Sequence, residues 1–410
     1  MVTIGPGWAR NSVNAVIFRR NSVVSHGDWQ YAAYYDQESR VVLAAREGTS
    51  EQWHSLTTAF TGRTSDAHNS ISLGVDGAGV PHLAWDHHGS PLRYLRGPEP
   101  GSFRLMGPLP MTGEKEERVT YPEFYSMPGG DLLCLYRDGS SGNGNLMLNR
   151  YDVGKWTWRR VQDGLLDGEG ERNAYWQFTV DSSGTLHLSW VWRESGDVAT
   201  NHDLCYARSP DGGVTWERST GEAYALPITA ANAEVACRIP EKSELINQTS
   251  MCVDSLGRPY IATYWRDEGS EVPQYRLVWR EEDSWRSRPV SQRTTPFSLS
   301  GGGTRRIPIS RPQIAVRTIG ETPRAVMLFR DVERGSRVSA AVCEDLSAFK
   351  WTVRDLTDHP VGMWEPSFDP VRWERDGILN IFVQTVGQGD GETLEDLAAQ
   401  PVSILEWKPW

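Results

Sequence analysis

Residues 173–193 read NAYWQFTVDSSGTLHLSWVWR and contain the clearest copy of a unit that recurs along the chain. Both ends of this stretch are rich in aromatic and β-branched residues, which favour β-strands. Residues 181–184, DSSG, lie between them and are turn formers, so the stretch is predicted to form a β-hairpin. Two other stretches follow the same plan: residues 68–88, HNSISLGVDGAGVPHLAWDHH, and residues 247–266, NQTSMCVDSLGRPYIATYWR.

The hairpin unit recurs seven times, which predicts a repeat architecture rather than one ordinary core. The copies are spaced by roughly 50–60 residues, as expected for four-stranded propeller blades with loop insertions. The looser copies cover residues 26–47, 121–137, 310–330 and 364–384.

Residues 402–407 are predicted to add one more strand, which is expected to pair with an N-terminal strand at 13–18 and close the ring. Helical patterning is confined to residues 393–399. No stretch of the chain resembles a linker. The protein is therefore predicted to be all-β, a seven-bladed β-propeller in a single domain over residues 1–410.

An independent sign of the propeller fold is the stretch SPDGGVTW at residues 209–216. It matches the Asp-box, S-x-D-x-G-x-T-W, in which the Asp and Gly form a tight turn and the Trp packs between strands. This is the one complete copy in the sequence. The motif indicates the fold and does not indicate a function.

The composition excludes several classes of partner. The 410-residue chain carries a net charge of −11 and has no run rich in Lys and Arg, whereas nucleic acids and anionic membranes require a basic surface. No apolar run reaches the ~18 residues of a membrane-spanning helix, and no signal peptide is visible at the N-terminus. The five cysteines are scattered without a CxxC pair, so no zinc ribbon or redox motif is indicated.

The repeat usually ends in an arginine that closes its second strand. In a propeller, the first strand of each blade begins, and the second strand ends, at the same face around the central channel. These arginines are therefore expected to ring that face, most of them paired with an acid of a neighbouring blade or with a loop carbonyl. They are Arg137, Arg193, Arg266 and Arg330.

Histidines occur at repeated positions of the unit and at one exceptional position. His82 and His187 occupy the same place in two copies, which indicates a packing role. His88 stands nine residues after its turn glycine, where two other copies have the arginine, so it replaces the repeated residue in one blade only. His68 begins the first strand of the same hairpin. These last two histidines are expected to face each other at the channel mouth.

The next copy adds Tyr121 near the start of its first strand and Arg137 at the end of its second. An imidazole, whose pKa is ordinarily about 6.5, exchanges protons at neutral pH, and a tyrosine hydroxyl does so when a cation lowers its pKa. The arginine fork binds a carboxylate. These residue types suit proton abstraction beside a carboxylate, with a base removing the α-proton and an acid protonating the departing oxygen. In a uronic acid glycan this reaction is a β-elimination.

Several segments resemble the BNR-repeat propeller group, and the resemblance covers essentially the whole chain. That group includes ulvan lyases and the enzymes that release rhamnose from the rhamnosyl-α-1,4-glucuronate caps of gum arabic-type arabinogalactan. Its lyases use two histidines about twenty residues apart, a tyrosine, and an arginine about sixteen residues after that tyrosine, and both spacings recur here. The matching segments are HGDWQ at residues 26–30, DAHN at 66–69, DHH at 86–88, PLRY at 91–94, and NHDLCY at 201–206 before the Asp-box.

The resemblance implies a polysaccharide lyase that acts on a rhamnose-linked uronic acid glycan, either ulvan or a glycan of gum arabic type. The carboxylate would be neutralised by arginine, with histidine and tyrosine as base and acid. The catalytic residues implied in this way are His68, His88, Tyr121 and Arg137. Further residues are expected to contact the substrate: Arg193, His87, Tyr175, Arg266, Arg330 and His26.

His26 has two interpretations. It begins the first unit and is expected on the same face, and related rhamnose-releasing enzymes have been assigned a single histidine catalyst. Alternatively, it orients the first blade together with Asp28.

The resemblance also implies a secreted or periplasmic protein, and we expect a monomer whose partner is an acidic polysaccharide. No cofactor is expected to take part in the chemistry. A structural metal ion is left open, with the histidine pair, His202 and Cys205 as candidate ligands.

Two other functions stay open from the sequence. An α-L-rhamnosidase-type glycoside hydrolase would use two carboxylates, and Asp86, Asp138 and Glu194 lie on the predicted face. A glycan-binding propeller without catalysis would use the arginines and tryptophans as a platform. A sialidase is disfavoured, because Arg-Ile-Pro occurs only late in the chain and only one Asp-box is complete.

Two long insertions, residues 219–245 and 291–309, are expected to emerge on the same face as the histidines. The second contains three consecutive glycines at 301–303, followed closely by Arg305 and Arg306. It is interpreted either as a basic flap over an acidic sugar or as an ordinary surface loop.

Overall fold

The computed structural model describes residues 1–17 and 21–410, and it consists of antiparallel β-sheets with a few short helices. The sheets form seven blades, because the largest sheet contains two blades that are joined by a single parallel bridge between Gly144 and Asn173. This architecture confirms the predicted all-β, seven-bladed propeller.

The first three blades follow one another in chain order. After β1 (Val2–Gly7), blade 1 contains β2 (Val23–His26), β3 (Trp29–Tyr35), β4 (Arg40–Glu47) and β5 (His54–Thr61). Blade 2 contains β6 (Ile71–Val75) and β7 (Pro81–Trp85); the short β8 (His88–Ser90) then pairs with blade 3, and β9 (Tyr94–Arg96) returns to blade 2. Blade 3 contains β10 (Val119–Ser126), β11 (Leu132–Ser140), β12 (Asn143–Asp152) and β13 (Thr157–Asp163).

The remaining blades repeat this plan. Blade 4 contains β14 (Asn173–Val180), β15 (Leu186–Arg193), β16 (Asn201–Ser209) and β17 (Glu234–Cys237). Blade 5 contains β18 (Ser250–Val253), β19 (Pro259–Trp265), β20 (Gln274–Glu281) and β21 (Ser284–Pro289). Blade 6 contains β22 (Gln313–Ile319), β23 (Thr322–Phe329), β24 (Ser339–Cys343) and β25 (Trp351–Asp355), and blade 7 contains β26 (Leu379–Val383), β27 (Gln400–Trp407) and β1.

The ring is closed in blade 7, where β1 pairs antiparallel with β27 and Val2 lies opposite Ile404. An N-terminal strand therefore does close the ring, but the predicted position of that strand at 13–18 is wrong. Residues 13–17 form turns and bends and are buried, which accounts for their strand-like apolar pattern, and Phe18 lies outside the described residues. The actual strand contains Gly and Pro, which are tolerated at a sheet edge but give a weak strand signal.

The prediction of a helix at 393–399 is wrong, because those residues have no helical turn. The described residues contain one α-helix, α1 (Pro370–Asp376), which lies in blade 7. Asp369 caps it by accepting hydrogen bonds from two backbone N–H groups of its first turn, and Gly377 ends it with a φ of 67°. Within the described ranges, no helix has the length and apolar character that crossing a bilayer requires.

Blade 1 begins one strand earlier in the chain than the predicted unit at 26–47. Its first strand is β2, so the hairpin that turns at Asp36 consists of the second and third strands. Strand β2 runs away from the face at which the first strands begin, and His26 ends it at the opposite face. There, a Cβ placed on Gly79, in the hairpin turn of blade 2, would lie 3.2 Å from the His26 Cδ2.

The repeated histidines have the packing role that their register predicts. His82 is fully buried, with Nδ1 2.6 Å from the Tyr94 hydroxyl and Nε2 3.3 Å from an oxygen of Asp76 in the hairpin turn. His187 contacts a tyrosine and an aspartate at the equivalent positions of blade 4. Each histidine thus connects the hairpin turn of its blade to the third strand.

The Asp-box forms the turn after β16. Asp211 accepts hydrogen bonds from the N–H groups of Val214 and Thr215 at 3.0 and 2.9 Å and from the Thr215 hydroxyl at 2.7 Å, and Trp216 is buried beside it. Because Asp211→Ala removes these acceptors, we expect the free energy of unfolding to fall by about 1–2 kcal/mol. Denaturant titration measures the loss, with the exposed Asp358→Ala as control. Equal stability of Asp211→Ala and the wild type would contradict this role.

Candidate active site

The face at which the first strands begin contains a cavity of about 240 Å³ around the central channel. The structure brings seven of the ten predicted site residues to its wall, and it does not bring Arg266, His87 or His26 there. The seven lining residues are His68, His88, Tyr121, Arg137, Tyr175, Arg193 and Arg330.

His68 and His88 lie against each other and share one carboxylate. Their rings are stacked, with centroids 4.2 Å apart and an interplanar angle of 17°. The Nδ1 atom of each ring is 2.6 Å from a different oxygen of Asp66. Burial would raise the pKa of Asp66, but the hydrogen bonds to the two histidines outweigh it and hold the pKa well below its usual range. One ionised carboxylate therefore fixes the orientation of both rings.

A second carboxylate, that of Glu392, approaches His68 from the loop between β26 and β27. Its Oε1 is 3.3 Å from the His68 Nδ1. Burial would lower the pKa of His68, but the hydrogen bonds to Asp66 and Glu392 outweigh it and raise the pKa to about 9. His68 is therefore an imidazolium at neutral pH.

The raised pKa of His68 predicts a pH dependence of stability. A histidine whose pKa rises on folding, here from the ordinary value of about 6.5, stabilises the folded state fully below that value and loses this contribution as the pH rises through its folded pKa. We expect the free energy of unfolding to fall more for the wild type than for His68→Gln between about pH 6 and about pH 10. Denaturant titrations at both pH values measure the difference, and parallel curves would contradict the assigned charge.

Tyr121 is turned into the cavity by an irregularity of β10. The register between β10 and β11 shifts between Thr120 and Glu123, and Tyr121 has a φ of 54°, which residues other than glycine seldom adopt. Its ring centroid lies 6.0 Å from that of His68. Burial raises the pKa of Tyr121 well above its usual value, so the hydroxyl keeps its proton at neutral pH.

Arg137 lies beside two tyrosine rings, with its Cζ 5.1 Å from the ring centroid of Tyr121 and 5.9 Å from that of Tyr175. The residue is 2% exposed, yet its Nε and Nη1 have no hydrogen-bond partner among the described residues. Gly144 on the neighbouring strand β12 leaves room for it, since a Cβ there would lie 2.7 Å from the Arg137 Cδ. Arg137 is thus a buried cation with unused donors.

Tyr175 is in a different electrostatic environment from Tyr121. Its hydroxyl accepts a hydrogen bond from Arg193 at 3.2 Å and lies 3.1 Å from the Ser141 hydroxyl. Burial would raise the pKa of Tyr175, but the charges of Arg137 and Arg193 outweigh it and lower the pKa to about 8. Tyr175 therefore ionises more readily than Tyr121, although both side chains lie beside the same guanidinium.

The other three arginines of the ring have partners within the protein, as expected from their repetition. Arg193 donates to the backbone carbonyls of residues 195 and 196, and Arg330 donates to three backbone carbonyls of nearby loops. Arg266 binds the carboxylate of Glu244 and lies outside the cavity wall, so the structure does not bring this predicted substrate contact to the candidate site. Of the four arginines, Arg137 is the one with unused donors.

His87 and His26 also lie away from the cavity, so the structure does not bring these two predicted substrate contacts to the candidate site. His87 directly precedes β8, and its side chain is buried whereas that of His88 is partly exposed at the cavity. The buried His87 Nε2 accepts a hydrogen bond from the backbone N–H of Arg93 at 2.8 Å. Burial lowers the pKa of His87 to about 3, so the ring is neutral. His26 lies at the opposite face because blade 1 begins one strand earlier than predicted.

Several residues of the site were not found by sequence reasoning. Arg311 and Glu365 form a two-pronged ion pair in the cavity wall, with Nε–Oε1 and Nη2–Oε2 distances of 2.8 and 2.6 Å. Glu392 and Asp66 contact the histidines. Asp66 and Glu392 lie outside the repeat units, whereas Arg311 and Glu365 each stand second in one and, as Tyr121 does, precede a proline. The Asp-x-His spacing of residues 66–68 is the signal that points to Asp66.

Asp66, His68 and His88 could also hold a cation, because one ligand atom from each lies within 4.8 Å of the others. Two imidazoles and a carboxylate form a ligand set that zinc accepts. Zinc would have to displace the protons that the Nδ1 atoms share with Asp66, and the raised pKa of His68 opposes this exchange. His202 and Cys205 belong to no group of three such ligands in the part of the chain that the structure describes.

Comparison with known families agrees with this architecture. The model of the BNR repeat-containing family matches residues 29–293, which is more than half of the chain. The protein therefore belongs to the BNR repeat-containing family.

Characterised relatives are distant and cover only part of the chain. The short isoform of ulvan lyase from Alteromonas sp. (strain LOR) is 27% identical over 157 residues, which are 35% of this chain and 29% of that enzyme. The long isoform from Pseudoalteromonas sp. (strain PLSV) is 28% identical over 135 residues, 29% of this chain and 14% of that enzyme. The protein is thus distantly similar to ulvan lyases, and the match spans less than a third of their length.

Solved structures extend the similarity to the whole fold. A polysaccharide lyase described as a PL25 ulvan lyase superposes with a TM-score of 0.70 over 98% of this chain and 94% of its own, at 14% identity. The polysaccharide lyase Uly1 gives a TM-score of 0.66 over 94% and 89%, at 15% identity. At these identities the superpositions establish the propeller fold.

Proposed function

We propose that the protein is a polysaccharide lyase that cleaves an acidic glycan beside a uronic acid by β-elimination. The observation that carries this proposal is Arg137, whose guanidinium is buried with two unused nitrogens at the cavity. A buried charged donor without an acceptor is costly, and a carboxylate offers the two oxygens that match its fork. A uronate bound here would satisfy these donors and be neutralised by them.

The cavity also has the charge that an acidic substrate requires. Although the chain as a whole is acidic, the residues that line the cavity in the described part of the chain include five arginines and one carboxylate, Glu365. Glu365 is already neutralised by Arg311. Local positive charge in a concave site attracts anions regardless of the net charge of the protein. The five arginines are Arg137, Arg193, Arg305, Arg311 and Arg330.

The proton transfers are assigned from the environments of the side chains. His88 is the most exposed of the cluster and takes the proton from the carbon beside the carboxylate, while Arg137 neutralises the charge that develops there. The C–O bond at the neighbouring carbon then breaks, and Tyr121 donates its proton to the departing oxygen. His68 supports the reaction as a fixed positive charge stacked on His88.

We further propose that the uronic acid is linked to rhamnose, as in ulvan or in the rhamnosyl-glucuronate ends of gum arabic-type glycans. Support for the ulvan alternative comes from a structure of the PL25 ulvan lyase bound to -[GlcA(1-4)Rha3S]-, which superposes on this chain with a TM-score of 0.69 at 14% identity. The gum arabic alternative rests on the resemblance of the sequence segments alone.

The experiment is incubation with ulvan and, separately, with gum arabic, while the ultraviolet absorbance of an unsaturated uronate is followed. Elimination is expected to give this absorbance with one of the two glycans. Reducing sugar without absorbance would mean hydrolysis instead. Binding without any product would mean that the propeller is a glycan-binding platform.

Hydrolysis is less well supported by the geometry, because it normally requires two carboxylates at the scissile bond. Glu365 is the one carboxylate in the described wall of the cavity, and it is held in an ion pair. Asp86 and Glu194 are paired with arginines elsewhere, and Asp138 does not line the cavity. No described pair of free carboxylates is thus available in the cavity wall.

A further inference from the structure

A strap of residues 299–306 forms one side of the cavity. It is part of the insertion between β21 and β22, and residues 299 and 302–305 line the cavity. Near one end of the strap, the backbone N–H of Gly301 donates to Asp197 at 2.6 Å. Near the other end, the Thr304 carbonyl accepts a hydrogen bond from the N–H of Gly391 at 2.9 Å. The strap therefore spans from the loop between β15 and β16 of blade 4 to the loop between β26 and β27 of blade 7.

Arg305 is the charged residue of the strap that lines the cavity. Its side chain runs back along the strap, so that a Cβ placed on Gly301 would lie 3.7 Å from both terminal nitrogens of the guanidinium. Its neighbour Arg306 does not line the cavity and binds the carboxylate of Glu395 at 3.1 Å. Two adjacent arginines of one strap thus have different environments, and only Arg305 faces the site.

The guanidinium of Arg305 has unused donors. Its Nε is 3.9 Å from an oxygen of Asp390, which is beyond hydrogen-bond distance. Within residues 1–17 and 21–410, this guanidinium donates no hydrogen bond. Arg305 shares this property with Arg137. By contrast, the guanidinium groups of three other arginines of the wall bind backbone carbonyls or a carboxylate: Arg193, Arg330 and Arg311.

Arg137 and Arg305 reach the cavity from different elements and at different depths. Arg137 lies on β11 of blade 3 and is 2% exposed, whereas the Arg305 side chain comes from the strap and is 34% exposed. An anion bound at Arg137 is therefore deep in the cavity, and an anion bound at Arg305 is nearer to solvent. An arginine fork accepts two oxygens of an oxyanion, so the cavity offers two separate anion positions.

We propose that Arg305 is a specificity-determining residue that binds a second oxyanion of the glycan. This oxyanion is a sulfate ester or a carboxylate on a sugar other than the uronate at Arg137. The preferred substrate is thus a glycan with several negative charges along its chain, rather than one with a single isolated uronate. The position of the first uronate rests on the proposed function, whereas anion binding by Arg305 is measured without cleavage.

The test is a calorimetric titration with ulvan and with the same ulvan after chemical removal of its sulfate esters. Both titrations use the His88→Ala background, in which the glycan stays intact. The additional change Arg305→Gln is expected to weaken binding of ulvan about tenfold, through loss of one charge-assisted contact at a partly exposed site. A loss confined to the sulfated form identifies a sulfate ester as the ligand. An equal loss with both forms identifies a carboxylate.

Kinetics with an otherwise wild-type protein give a second readout. Arg305→Gln is expected to raise KM for ulvan and to leave kcat nearly unchanged, because it removes binding to a sugar away from the bond that breaks. General damage to the site would lower kcat as well. A loss in kcat at unchanged KM contradicts the assigned role.

The matched control is Arg306→Gln, which removes a charge from the same strap but not from the cavity wall, and it is expected to bind ulvan as its parent does. Arg305→Lys retains the charge without the fork and is expected to recover part of the affinity. Equal affinities of Arg305→Gln and Arg306→Gln overturn the proposal, with thermal unfolding as the check that both are folded. If Arg305→Gln does not fold, Arg305→Lys and Arg306→Lys give the same comparison.

The outcomes separate this proposal from the proposed function. Absence of ulvan binding in the His88→Ala background overturns the role of Arg305, even if gum arabic is cleaved by elimination. Weaker ulvan binding after Arg305→Gln, in a protein that cleaves neither glycan, would refute the lyase and support the anion position on the strap.

Discussion

Replacement of Arg137 by alanine is expected to lower kcat/KM by about 10²–10³-fold or more, because it removes the group that neutralises the uronate as charge develops on it. The loss should appear mainly in kcat, since the charge to be stabilised is greatest in the transition state. Steady-state measurement of the unsaturated product gives both constants. The buried position of Arg137 and its unused nitrogens are the reasons for expecting a loss of this size.

The matched comparison is between Arg137→Lys and Arg266→Lys. Both residues close the second strand of a hairpin on the same face, but Arg266 is paired with Glu244 and does not line the cavity. A lysine retains the charge and loses the two-pronged geometry. We expect Arg137→Lys to lose most of the activity and Arg266→Lys to stay close to the wild type. Equal effects of the two substitutions would mean that Arg137 does not bind the carboxylate.

Replacement of His88 by alanine is expected to lower kcat by roughly 10²–10⁴-fold, the usual range for loss of a general acid or base. KM should change little, because Arg137 and the other cavity arginines still bind the acidic sugar. The measurement is again the rate of formation of the unsaturated product. Circular dichroism would show that the fold is retained, which we expect because His88 is half-exposed at the cavity.

The control for His88 is His359→Ala. His359 also has an aspartate at its Nδ1, 2.8 Å away, but it is exposed and outside the cavity. Its replacement is expected to leave the rate unchanged. Wild-type activity of His88→Ala would refute the assignment of the site, and a similar loss in both variants would indicate an indirect effect.

The fold and seven residues of the cavity wall could be predicted from the sequence, largely because they depend on the repeat. The register of the hairpin places Arg137, Arg193 and Arg330 at one face, and it marks His88 as the exception. The same reasoning fails in blade 1. The hairpin that turns at Asp36 resembles the others in sequence, but it connects the second and third strands of its blade. Because the blade begins one strand earlier than predicted, His26 lies at the opposite face.

The partners of the histidines could not be predicted, because they come from segments that follow no repeat. Glu392 is more than three hundred residues away from His68 in the chain, and their contact exists only because the closed ring brings blade 7 beside blade 1. His87 shows a different limit. Its neighbour His88 has the same chemistry, and the residue type does not distinguish a buried neutral ring from one at the cavity.

The pairing of β1 with β27 has a consequence for how the protein unfolds. A linear array of repeats can fray from its ends, one unit at a time, because each unit contacts only its neighbours. In this ring the first strand of the chain completes the last blade, so neither terminal blade can open alone. We therefore expect loss of structure to be cooperative, with the cavity intact until the whole ring opens.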